Sequence, residues 1–246
     1  MAVEIRWGDS GELTSQLIAN TGEPADILIT DNVADIWRAA DRGALRPLLS
    51  DAVAAHADFL KDPDGFWAAV DVSFHAIYHA SGARPRTVRL DDLATPGFTG
   101  RICLSTARIG SNRSLISFLI QERGVKDAER LFRLLVRNLA RPPFASHAAM
   151  LEAVREGECD YAIGIWRRTP EGVTPLSLAP PTVDIDAIGV GRHARNADAA
   201  QAVVDWLLEN RFVGIRRKIE RYPPAVYTAG YHDEEARLLA ERAGYR

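Results

Sequence analysis

The stretch PADILITDNVADIWRAADRG, residues 24–43, sets the fold class. Its segment from Ile27 to Thr30 is a short apolar run, which is typical of a strand buried in a parallel sheet. From Val33 to Asp41 apolar residues recur at helical spacing, and Gly43 marks the end of that helix. A buried strand followed at once by an amphipathic helix indicates an α/β architecture.

The rest of the chain continues this alternation. Val3 to Trp7 alternates apolar and polar residues like a half-buried strand, and a helix capped by Ser10 follows from Glu12 to Ala19. Further strands are predicted over Phe66–Ala80, Arg101–Leu104, Tyr161–Ile165 and Val183–Val190. Further helices are predicted over Leu90–Leu93, Arg113–Glu122, Lys126–Leu139, Ser146–Glu156, Asp198–Glu209, 212–219 and Asp233–Ala243. Pro170–Pro181 is predicted to be a loop and Tyr222–Pro224 a turn. The pattern predicts two α/β lobes joined by chain crossings, which usually flank a ligand cleft.

Composition excludes several classes of protein. The chain has 246 residues, is 47% hydrophobic and carries a net charge of −3, so it has no overall attraction for nucleic acid. No apolar run approaches the roughly 20 residues that a membrane span needs. The sequence contains no HExxH, GxxxxGK[ST] or GxGxxG motif and no Ser-His-Asp order, so we expect neither catalysis nor a cofactor or metal site.

The two cysteines, Cys103 and Cys159, lack the spacing of a zinc or redox motif. We interpret them as two small buried apolar residues, and a disulfide stays open if the protein is exported. The first ten residues, MAVEIRWGDS, have no basic and no long apolar region, so they are not a signal peptide.

Six stretches resemble, in the same order, those of the ferric-iron type of periplasmic solute-binding proteins of ABC importers. They are Pro24–Thr30, Arg42–Leu48, Asp62–Ala68, Thr95–Ile102, Ala153–Asp160 and Tyr222-Pro223. The resemblance implies a two-lobed type 2 periplasmic-binding-protein fold, with mixed sheets and a hinge that closes like a Venus flytrap. It assigns residues 1–74 with 184–222 to lobe 1, residues 75–183 to lobe 2 and residues 223–246 to a C-terminal helical segment.

The same resemblance implies a small-molecule ligand, an ABC permease as partner and membrane contact only through that permease. It implies a periplasmic location, whereas an authentic start at Met1 would imply the cytoplasm. The chain departs from the family at its beginning, where the family's first strand and helix are lacking.

The site departs from the family as well, because Arg167 and Arg168 stand where the family has two tyrosines that bind ferric iron. A guanidinium group stays protonated and has no acceptor atom, so it repels a cation and suits a carboxylate or phosphate. One interpretation is therefore an anion site, and the other is a solvated surface loop.

Further candidate residues lie near predicted helix starts. Ser111, Asn112 and Arg113 resemble a family loop at a helix N-terminus, where amide groups and the helix dipole favour an anion or where Ser111 or Asn112 caps the helix. Asp31 follows the strand Ile27 to Thr30 and is either a ligand-facing carboxylate or a helix cap. Three more candidates follow from the family resemblance: Asp9, Ser10 and His147.

His75 and His79 share one face of their predicted strand, because their separation is even. A metal pair is one interpretation and a structural role is the other.

The sequence thus predicts a non-enzymatic protein that captures a small anionic solute, bearing phosphate, phosphonate or carboxylate, between two lobes. The alternatives are a ferric-iron-complex binding protein with a site free of tyrosine, and a cytoplasmic ligand-sensing module.

Overall fold

The fold is described from a computed structural model, for residues 3–82, 89–165, 169–179, 181–211 and 226–246. The predicted helix over 212–219 and the Tyr222–Pro224 turn lie outside these ranges. None of the helices described here is both long and apolar enough to cross a bilayer.

The described chain contains ten α-helices and seven strands. The α-helices are α1 (Ser10–Ala19), α2 (Val33–Asp41), α3 (Asp51–Ala54), α4 (Leu90–Leu93), α5 (Gly110–Arg123), α6 (Val125–Arg137), α7 (His147–Glu156), α8 (Ala197–Arg211), α9 (Tyr227–Tyr231) and α10 (Asp233–Ala243). The strands are β1 (Ile27–Thr30), β2 (Leu45–Arg46), β3 (Ala68–Ala80), β4 (Ile102–Leu104), β5 (Tyr161–Ile165), β6 (Val173–Ser177) and β7 (Val183–Gly191).

Strand β3 connects two sheets. Its residues up to Phe74 pair with β7, and its residues from His75 pair with β5 and β6. The strand order is β1-β7-β3-β5-β4, with β2 on β7 and β6 on β3. The fold is therefore the predicted α/β, two-lobed arrangement with mixed sheets. The lobe boundaries themselves stay a prediction.

Strand direction differs from the prediction. β1 pairs with β7 in the antiparallel sense, whereas β4 and β5 are parallel. An apolar run reports that a strand is buried and says nothing about its direction, so the expectation of a parallel β1 was wrong.

Each sheet has its own apolar cluster. Around β1 and β7 the cluster contains Leu28, Ile36 and Ile185, and around β4 and β5 it contains Ile102 and Ile163. The last helix, α10, packs its buried face into the cluster around β4 and β5, together with α5 and α6. The C-terminal segment thus packs on the sheet of β4 and β5.

Two predicted elements were wrong. Val3–Trp7 forms no strand, and the side chains of Val3, Ile5 and Trp7 are 68%, 62% and 88% exposed. Alternation alone does not make a strand, because the ladder needs a partner. Conversely, the predicted loop over Pro170–Pro181 contains β6. This strand includes Pro175 and pairs with β3 alone, and a proline is tolerated on such an edge strand.

Cys103 and Cys159 form a disulfide, which is the alternative that the sequence left open. Both are buried. The parallel pairing of Ile102 with Tyr161 brings β4 beside the turn that precedes β5, which places the two Cα atoms 5.9 Å apart. The two cysteines are 56 residues apart in the sequence, so no local pattern predicts that they lie close together.

Candidate functional site

The N-termini of α1, α2, α5 and α7 meet where the two sheets join. The Asp31 amide donates to Ser10 Oγ at 3.1 Å, and His147 Nε2 lies 3.1 Å from Ser111 Oγ. Gly110 packs directly against the side chain of Asn32. The first amides of a helix lack partners within the helix and carry partial positive charge, so this region favours an anion. We call these five residues the junction: Ser10, Asp31, Asn32, Ser111 and His147.

On the α1 and α2 side, the caps differ from those predicted. Asp9, not Ser10, caps α1 by accepting a hydrogen bond from the Glu12 amide at 3.0 Å. Asn32, not Asp31, caps α2 by accepting one from the Asp35 amide at 2.8 Å. Asp31 is therefore the exposed carboxylate of the junction, and the side-chain amide of Asn32 donates to its Oδ1 at 2.9 Å.

Helix α5 begins at Gly110, three residues before the predicted start, so Ser111 and Asn112 lie inside its first turn. Neither caps the helix, because its N-cap is Ile109 and no side chain bonds there. Asn112 Nδ2 donates to Ser105 Oγ and to the Thr106 carbonyl, both at 2.9 Å. Asn112 thus holds the loop after β4 through these hydrogen bonds, whereas the Ser111 side chain faces His147.

His147 is the first residue of α7 and is held at both ring nitrogens. Its Nδ1 lies 2.9 Å from Ser105 Oγ, opposite the Ser111 contact. Burial and, to a smaller extent, the neighbouring His75 lower the pKa of His147 to about 4. The imidazole is therefore neutral at pH 7, and it joins the start of α7 to the start of α5.

His75 and His79 are both buried on β3. His75 Nε2 donates to the Ser111 carbonyl at 2.9 Å, and burial lowers the pKa of His75 to about 4. His79 Nδ1 contacts the Ala80 carbonyl at 2.8 Å. Within the described ranges, no group of three or more His, Cys, Asp and Glu side chains is arranged to hold a metal ion. These contacts give both histidines structural partners.

Arg113 was predicted to contact the ligand, but the structure places it in ion pairs between helices. Its Nε lies 2.8 Å from Asp233, one terminal nitrogen lies 3.2 Å from Asp35, and the other donates to the Arg108 carbonyl at 2.6 Å. With all three nitrogens engaged inside the protein, Arg113 is removed from the candidate ligand contacts.

Sequence reasoning missed Asp184, which connects β7 to the junction. Its Oδ1 accepts hydrogen bonds from the amides of Val33 at 2.8 Å and Ile185 at 2.9 Å, and thus fixes the start of α2 on the sheet. Burial raises the pKa of this carboxyl group to about 7. Its position inside the apolar run Val183–Val190 was the signal, because a carboxylate in a buried strand requires partners.

Arg167 and Arg168 lie outside the described residues, so the structure does not test the guanidinium contacts. The last residue of β5 before them, Ile165, pairs with His75.

Two sheets that share a crossing strand, with four helix N-termini where they join, give the chain the two-lobed fold of the type 2 periplasmic binding proteins. No model of a known protein family matches the chain. By sequence it is similar to Iron uptake protein A1 of Synechocystis, with 28% identity over 84% of this chain and 63% of the relative. It is also similar to Iron uptake protein A2, with 28% identity over 75% and 60%. The chain therefore spans less than two thirds of the length of these relatives.

Solved structures share the fold. A Trichodesmium protein, FutA (IdiA), described in complex with iron and citrate ligands, matches with a TM-score of 0.83 and 22% identity. The match covers 97% of this chain and 90% of that one. The ferric binding protein of Campylobacter jejuni matches with a TM-score of 0.86 and 18% identity over the same shares. The resemblance to ferric-iron-type periplasmic solute-binding proteins is confirmed. The lack of that family's first strand and helix stays a prediction.

Proposed function

We propose that this chain is the solute-capturing, non-catalytic component of an importer and that its cargo is ferric iron bound to an anionic, oxygen-rich chelator such as citrate. The observation that carries this proposal is the meeting of four helix N-termini around Asp31 in a fold shared with a protein described with iron and citrate. This cargo corresponds to the ferric-iron-complex alternative given by the sequence, and we prefer it over a simple phosphate or phosphonate ligand.

The chemistry of the junction suits a chelate. Helix N-termini attract the negative carboxylates of the chelator, and the hydroxyl groups of Ser10 and Ser111 stand at these termini. The chelator supplies most of the oxygen ligands of the iron, so paired tyrosines are not required. Asp31 is an exposed carboxylate that would complete the coordination of a hard cation.

The proposed contacts are therefore fewer than those predicted from the sequence. Asp9, Asn112 and Arg113 hold other parts of the protein, as described above. His147 is held at both ring nitrogens, so it positions Ser111 and does not contact the ligand itself. The proposed contacts that are kept are Ser10, Asp31, Ser111, Arg167 and Arg168.

Closure follows from the same arrangement. Ser10 and Asp31 belong to the side of α1 and β1, whereas Ser111 and His147 belong to the side of α5 and α7. A ligand that contacts both sides binds the closed form more tightly, so it shifts the equilibrium towards closure. We propose that a membrane permease recognises this closed form.

The disulfide supports a periplasmic location. Disulfides persist in oxidising compartments and are rare in the reducing cytoplasm. Free thiols at Cys103 and Cys159 in protein taken directly from cells would contradict this part of the proposal.

A thermal-unfolding screen tests the cargo. Ferric citrate, citrate alone and inorganic phosphate are added separately. Ferric citrate at 100 times its dissociation constant should stabilise the fold by about 2.7 kcal/mol. Asp31→Asn should reduce the shift, and Arg167→Ala with Arg168→Ala should reduce it if these guanidinium groups reach the ligand. Asp64→Asn, an exposed carboxylate elsewhere, is the control.

The three ligands separate the possible cargoes. An equal shift with phosphate or with iron-free citrate would replace the ferric proposal by the simple-anion one, and no shift with any of them would contradict both.

A further inference from the structure

A buried ion pair joins α2 to α5 beside the junction. The Asp35 side chain on α2 is only 2% exposed, and its Oδ1 lies 3.0 Å from Arg38 of the same helix and 3.2 Å from Arg113 of α5. Arg113 is 11% exposed and is fixed in turn by Asp233 at 2.8 Å. Asp35 belongs to predicted lobe 1 and Arg113 to predicted lobe 2, so this pair spans the two predicted lobes.

The ion pair is connected to the candidate ligand contact Asp31 by one side chain. The Asn32 amide donates to Asp31 Oδ1 at 2.9 Å and to Asp35 Oδ2 at 2.8 Å. Its carbonyl oxygen accepts from the Asp35 backbone amide, and the side chain is buried against Gly110 of α5. One side-chain amide group therefore connects Asp31 directly to Asp35.

We propose that Arg113 and Asp35 form a latch between the lobes that sets how much of the protein is closed, and that Asn32 couples this latch to the cargo. The coupling to cargo rests on the proposed function, whereas the latch itself does not. Arg113 and Asn32 are thus positioning residues that act on the ligand through Asp31 and through closure.

The physical basis is the cost of separating buried charges. Opening would take Arg113 away from Asp35 and leave that carboxylate with Arg38 alone. Separating one partner of a buried ion pair is strongly unfavourable, because the remaining charge has lost its compensation. Arg113 would stay paired with Asp233, so the latch opens at one contact and keeps the other.

Arg113→Met removes the cation and keeps a long apolar side chain, and Arg38 still neutralises Asp35. Small-angle X-ray scattering without any ligand should then give a larger radius of gyration than for the wild type. The dissociation rate of ferric citrate should rise about tenfold, within the usual range of coupling between sites. Asp233→Asn is the matched control, because it removes the other partner of Arg113 and keeps the pair with Asp35.

A folded Arg113→Met variant with the wild-type radius of gyration would overturn the latch. If Arg113→Met does not fold, Asp35→Asn keeps the shape of the side chain, removes its charge and must give the same expansion. A wild type that does not bind ferric citrate contradicts the proposed function, but the scattering comparison still decides on the latch. An unchanged dissociation rate together with the expansion would overturn only the coupling through Asn32.

Discussion

At the scale of single residues, burial sets the charge of three side chains in or beside the junction, namely His75, His147 and Asp184. His75 and His147 have a pKa of about 4 in the folded protein, below the ordinary 6.5, so the unfolded chain binds protons first on acidification. Their contribution to stability is present above pH 6.5 and is lost as the pH falls towards 4. Asp184 behaves in the opposite way, because its raised pKa costs stability as the pH rises from 3.8 to about 7.

Asp184→Asn should therefore change how stability depends on pH. The amide oxygen still accepts from Val33 and Ile185, but the carboxyl group no longer has to ionise in a buried place. Relative to the wild type, the variant should gain stability as the pH rises from 3.8 to about 7, by about 1.4 kcal/mol for each unit by which the pKa is raised. Urea unfolding at a series of pH values measures this gain, with Asp64→Asn as the exposed control. Parallel profiles for wild type and variant would show that Asp184 does not titrate in this range.

At the scale of elements, the local sequence pattern predicted which helices and strands exist better than it predicted where each one begins and ends. The bounds of α2 and α10 match those predicted, because both helices are bordered by residues that stop helices or favour their first turn. The start of α5 was placed three residues late, because Gly110 is a poor helix former and only its contact with Asn32 explains its presence there.

Gly110→Ala tests that contact. A Cβ atom at residue 110 would lie 2.3 Å from Asn32 Cγ, and three hydrogen bonds hold the Asn32 side chain in place. Despite the higher helix propensity of alanine, the variant should lose about 1–3 kcal/mol in urea unfolding, as expected for overpacking. Gly97→Ala is the matched control, because the nearest atom to a Cβ there is 4.0 Å away. A Gly110→Ala variant as stable as the control would mean that α2 and α5 move apart at little cost.

At the scale of the whole molecule, the sequence predicted the two-lobed fold and several residues of the junction, but not the contacts that connect distant segments. Ser10, Ser111 and His147 were found through the family resemblance, which matched the segments at these helix N-termini. The bond from Val33 to Asp184 and the ion pair of Arg113 with Asp233 leave no local signal. These contacts exist only once β3 has crossed between the sheets and the chain has returned, so no window of sequence contains both partners.

The two ends of the described chain should respond oppositely to removal. Val3 to Trp7 is exposed and joins no strand in the described structure, and the ion pair of Arg6 with Glu23 is solvent-exposed. Exposed ion pairs contribute little, so deleting residues 1–7 should change the free energy of unfolding by no more than about 0.5 kcal/mol. Residues 233–246 carry α10 and Tyr245, whose hydroxyl donates to the Ser105 carbonyl at 2.6 Å. The fully buried Leu239 alone contributes about 1.5–3 kcal/mol, so deleting this segment should remove cooperative unfolding in urea, followed by circular dichroism. If the N-terminal deletion proved the more damaging of the two, the assignment of α10 to the core around β4 and β5 would be wrong.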